Sequence, residues 1–140
     1  MIWASDWIWG IPLLVGTVVF HVAAVILITR ALVSETTQQK ETFVFVASVA
    51  LLALATATLH AMEALAWAVL YVYLGALSNL ADAMLYSLSA LTAFGHANIF
   101  LEPRWQLLGA IEAVNGLIVF GLSTAFFFSA IQKAGPSRQP

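Results

Sequence analysis

The chain has 140 residues, of which 62% are hydrophobic and 9% charged, with a mean hydropathy of +0.96 and a formal charge of −2. So little polar surface excludes a soluble domain of this length and points to a membrane protein. The absence of cysteine excludes disulfides and thiolate metal sites, and neither an enzymatic activity, a bound cofactor nor a nucleic-acid partner is expected.

In chain order, Trp3, Trp7 and Trp9 come first and have the amphipathic rings of an interfacial belt. Residues 11–33 form an apolar run interrupted by Thr17, His21, Thr29 and Arg30. At ~1.5 Å per residue the run reaches roughly 34 Å, enough for one span. His21 is expected to be a lone, satisfied histidine. Residues 42–77 lack proline and hold Gly75 only near their end, which predicts one long tilted helix rather than a hairpin. Residues 105–131 make the third span, with Gly109, Gly116 and Gly121 inside it and Lys133-Ala134-Gly135-Pro136 as a stop. Phe126, Phe127 and Phe128 are read as lipid-facing or interhelical packing. Arg30, Lys40, Lys133 and Arg138 assign the 34–41 loop and the C-terminus to the cytoplasm, leaving Arg104 and the N-terminus outside. The expected location is a multi-pass protein of the cell inner membrane.

Residues 78–104 join two outward helix ends yet contain their own helical stretch, 82–91, with Ser78, Asn79 or Asp82 available as its cap. Gly95, Ala97 and Asn98 follow it. A short helix ending in such residues reads as a re-entrant loop, and irregular backbone at membrane depth is tolerated where it is buried in protein or lines a watery cavity. A pore gives such a loop its reason.

The order of outer helix, short helix, Thr92-x-x-Gly95, the rim Glu102-Pro103-Arg104 and an inner helix with Glu112 and glycines resembles the pore module of the tetrameric potassium channel superfamily. The small bacterial ion channel family proteins are the most similar. His60-x-x-Glu63 and Trp67-Ala68 match pairs that precede their pore helix, residues 83–92 resemble that helix, and residues 104–125 resemble the inner helix. The likeness runs from about residue 60 to residue 132. It implies an all-α membrane protein with three transmembrane helices, a re-entrant pore helix and a filter-like loop. Residues 1–41 then make an N-terminal helix and cytoplasmic loop, 42–133 the pore module, and 134–140 a short tail. It further implies a homotetramer in membrane lipid, a monovalent cation as the permeant ion, and support of the filter by Glu112, His60 and Glu63.

The filter-like loop departs from that family. Ala93, Phe94, Gly95, His96 and Ala97 stand where the family has Thr-Val-Gly-Tyr-Gly, and Asn98 stands where it has aspartate. A stack of carbonyl rings replacing the ion's water needs the family's backbone, and Ala97 in place of glycine resists the left-handed conformation. The expectation is therefore a cation channel of altered or relaxed selectivity. One alternative is a non-conducting subunit or scaffold of a larger membrane assembly with other membrane subunits. A second is a membrane metalloprotein built on His60, Glu63, Glu112 and His96. Gly116 and Gly121 are equally open to a hinge or to close helix packing.

Overall fold

The structure, a computed structural model, describes residues 3–32, 42–95 and 98–134. These form four α-helices, α1 (Ala4–Leu32), α2 (Thr42–Tyr73), α3 (Leu80–Leu91) and α4 (Gln106–Ala134), with a 3₁₀ turn at Pro103–Trp105 before α4. No strand occurs among the described residues. α1, α2 and α4 are long and apolar enough to cross a membrane, whereas α3 is too short to do so. A helix is the one open-chain form that pairs its own backbone groups in lipid.

The helix ends follow local chemistry. α1 begins at Ala4 rather than at residue 11 and takes Pro12 into its interior. Proline removes one backbone bond there, and the turn ahead of it is held against α4 where Gly10 meets Ile111 and Leu108. α2 ends at Tyr73 rather than at residue 77 because Gly75 turns left-handed, φ 65°. The Gly75 and Ala76 amides then return to the Val72 and Tyr71 carbonyls at 3.1 and 2.8 Å, a Schellman closure. Of the three candidate caps for α3, Asn79 takes the position, its side chain accepting the Asp82 amide at 2.9 Å.

Three contacts set the topology. A Cβ on Gly10 would lie 2.9 Å from Ile111 Cδ1, Asn115 Nδ2 donates to Thr17 Oγ1 at 2.9 Å, and His21 meets Ser123 further along. α1 and α4 therefore run parallel. His21 contacts Glu63 and Trp9 contacts Tyr73, so α2 runs antiparallel to both.

α3 lies in the angle between α2 and α4. It starts level with the end of α2, and its far end, Leu91, packs with Ala64 of α2 and Val119 of α4. The chain then returns: Leu101 is buried near Gly109, and the Glu102 amide donates to the Ala76 carbonyl at 3.2 Å. Trp67, Tyr71, Ala83, Leu101, Trp105 and Leu108 form the main core, at the end of the bundle where α2 finishes and α4 begins. Trp3, Trp7 and Trp9 lie exposed at that same end. Asp6 is buried there beside the Leu108 amide at the start of α4, where a helix terminus favours negative charge.

Candidate functional site

The loop that follows α3 carries the filter-like residues. Thr92 closes the helix, its hydroxyl donating to the Leu88 carbonyl at 2.7 Å. The Phe94 and Gly95 amides both return to the Ser89 carbonyl, at 3.0 and 3.4 Å. Ala93 and Gly95 are left-handed, with φ of 54° and 76°. Ala93 adopts that conformation despite its Cβ, at a cost of about 1–2 kcal/mol. Phe94 projects from the bundle, 85% exposed, and Asn98 is exposed as well. His96 and Ala97 lie outside the described residues.

This loop sits at the depth of the middle of α4 because Gly116 lets α3 approach. A Cβ there would lie only 2.6 Å from the Leu91 carbonyl carbon and Cα. Close backbone packing is thus what Gly116 provides. A Cβ on Gly121 would meet open space, and nothing packs against it.

Glu112 is fully buried and holds α2, α3 and α4 together. Tyr71 of α2 donates to its Oε2 at 2.5 Å, and Ser87 of α3 donates to its Oε1. Ser87 also lies 2.8 Å from the Ala64 carbonyl. Tyr86 packs edge-on to Tyr71, ring centroids 5.4 Å apart, with its hydroxyl over Gly109. The resemblance gave Glu112 to support of the filter-like loop; among the described residues its hydrogen bonds go to Tyr71 and Ser87.

His60 and Glu63 belong to a second buried cluster, separate from the loop. His21 Nδ1 lies 2.7 Å from Glu63 Oε1, and His60 Nδ1 lies 3.1 Å from Glu63 Oε2. On the opposite side of the imidazoles, Ser123 Oγ lies 2.9 Å from His21 Nε2 and 3.2 Å from His60 Nε2. His21 is therefore not solitary: it joins α1 to both α2 and α4. Phe120 stacks on His60 at 4.2 Å.

The donor atoms of His21, His60 and Glu63 lie within 4.8 Å of one another. The imidazoles, however, are stacked, 5.2 Å between centroids and 26° between planes. Both Nδ1 atoms face Glu63 and both Nε2 atoms face Ser123, so their lone pairs run side by side. Tetrahedral coordination needs lone pairs that converge on one point, and the arrangement suits hydrogen bonding instead.

Tyr71, Ser87, His21 and Ser123 escaped sequence reasoning as site residues. Ser87 is one of two serines in the short helix, and nothing in the sequence separates it from Ser89. For His21 and Ser123 the partners lie 42 and 102 residues away in sequence, beyond any local pattern.

No family model matches the chain, and neither a curated protein nor a solved structure is similar to it.

Proposed function

We propose that the chain is the subunit of a tetrameric cation channel of potassium-channel-like architecture, with altered or relaxed selectivity. One observation carries this reading: α3 ends against Gly116 midway along α4, and the turn that follows is left-handed at Ala93 and Gly95 and exposed on the flank of the bundle. At that depth lipid offers no partner for irregular backbone, so the loop must be covered by sister subunits or face water. Four copies arranged about their loops satisfy both needs, with the end of α3 aimed at the shared axis. The orientation that fits the cationic residues sets the loop toward the outer side of the cell inner membrane.

Purified protein in liposomes tests the reading. Potassium and sodium both pass, at rates within about tenfold of each other, and a larger organic cation passes more slowly. Strict potassium selectivity contradicts the role given to Ala93 and Ala97, and absence of any flux contradicts conduction.

A second reading, a non-conducting channel-fold subunit or scaffold, draws on the same loop. Ala93 is held left-handed despite its Cβ, and Phe94, a bulky ring where the resembled filter has valine, is 85% exposed on the loop. Its mark is a tetramer that stays silent even when Ala93→Thr, Phe94→Val, His96→Tyr, Ala97→Gly and Asn98→Asp are combined.

A further inference from the structure

The cluster formed by His21, Glu63, His60 and Ser123 is a closed ring of four hydrogen-bond contacts, each group meeting two neighbours. Every hydrogen bond contains one proton, so the ring requires four. Two neutral imidazoles supply one proton each, the hydroxyl supplies one, and a carboxylate supplies none. The ring is one proton short unless it binds another.

With that fourth proton the ring is complete in either direction around it and carries no net charge. Without it, two lone pairs face each other across one contact and a net negative charge remains. The side chains of His21 and Glu63 are fully buried and that of His60 is 12% exposed. An uncompensated charge in such surroundings, inside a span, is expensive. We infer that His21, Glu63, His60 and Ser123 form a proton-binding site whose bound proton fastens α1 to α2 and α4.

The surroundings leave the ring to itself. α1 contributes His21, α2 contributes His60 and Glu63, and α4 contributes Ser123 and the stacked Phe120. Among the described residues, the ionisable side chains in contact with Glu63 are His21 and His60. Glu112 of α4 is about three helical turns from Ser123 and is held by Tyr71 and Ser87. α3 presents Ser87, whose hydroxyl lies between the Ala64 carbonyl and Glu112 and can donate to one of them at a time.

Glu63→Gln supplies a sharp test. A glutamine accepts through its carbonyl from one Nδ1–H and donates through its amide to the other Nδ1, so the ring closes neutrally with no additional proton. Folding stability of both proteins is followed between pH 7 and 9 by unfolding in detergent micelles. The folded wild-type ring needs one proton more than two neutral imidazoles, a hydroxyl and a carboxylate supply, so its stability is linked to pH and falls as pH rises.

The expected result is a wild-type folding equilibrium that drops up to tenfold more per pH unit than that of Glu63→Gln, which becomes the more stable of the two by pH 9. His60→Gln opens the ring and removes the need for the proton. It is expected to be less stable at pH 7 and to fall no more steeply than Glu63→Gln as pH rises. A Glu63→Gln protein that fails to fold, or one that keeps the wild-type pH slope, overturns the inference. So does a zinc-dependent rise in wild-type stability that Glu63→Gln abolishes, which would make the cluster a metal site.

Discussion

Two buried glutamates sit on neighbouring helices of this protein and are satisfied in different ways. Glu112 receives two hydroxyl donors, from Tyr71 and Ser87, and its bonds converge on the short helix α3. Glu63 receives two imidazoles, from His21 and His60, and its bonds reach outward to α1. The first fixes the short helix that carries the loop, and the second fixes α1. A carboxylate in lipid must be partnered, and the choice of partner decides which part of the fold it governs.

The largest effect that separates the two regions is steric. Gly116→Ala would drive a methyl group into the Leu91 backbone and is expected to destabilise by about 3 kcal/mol, at the upper end for overpacking. Gly121→Ala meets open space and should instead stabilise by up to ~1 kcal/mol through helix propensity. Thermal unfolding in detergent reads both. Equal effects of the two substitutions would remove the special position of α3.

Glu112→Leu comes next. Ser87 retains the Ala64 carbonyl as acceptor, so the Tyr71 hydroxyl is the group left without a partner, at a loss of about 2 kcal/mol. Hydrogen exchange should rise in α3 while α1 remains protected. Protection lost equally in α1 would show that the clusters act as one unit.

Ala93→Gly has the smallest expected effect. Relief of the left-handed strain is partly offset by the entropy of the added glycine, leaving a stabilisation of about 0.5 kcal/mol. A destabilised Ala93→Gly would mean that the Ala93 methyl makes contacts between subunits.

Much of this was legible in the sequence because it is local. Three apolar runs of spanning length and a short helix capped somewhere in residues 78–82 follow from hydropathy and turn chemistry, whereas Gly75, read as lying inside the second run, ends α2. The start of α1 was not legible, because the apolar run counts from residue 11 while the helix begins at Ala4 and passes through Pro12, with Gly10 against Leu108 and Ile111 of α4. The partners of Glu112 and the ring around Glu63 were not legible either. Which face of an almost uniformly apolar helix turns inward is decided by helices far away in sequence, and hydrophobic periodicity is faint where both lipid and core are apolar. Gly116 read equally as hinge or packing until Leu91 was found against it.

The central claim is that the loop after α3 is completed by other copies of the chain. The protein has no cysteine, so Phe94→Cys gives a single reporter on the exposed turn. Native mass measurement of this variant, extracted from membranes before and after mild oxidation, tests the claim most directly. The account predicts a tetramer throughout, which oxidation converts to covalent dimers held within it. A stable monomer that retains its helices and forms no crosslink would contradict it.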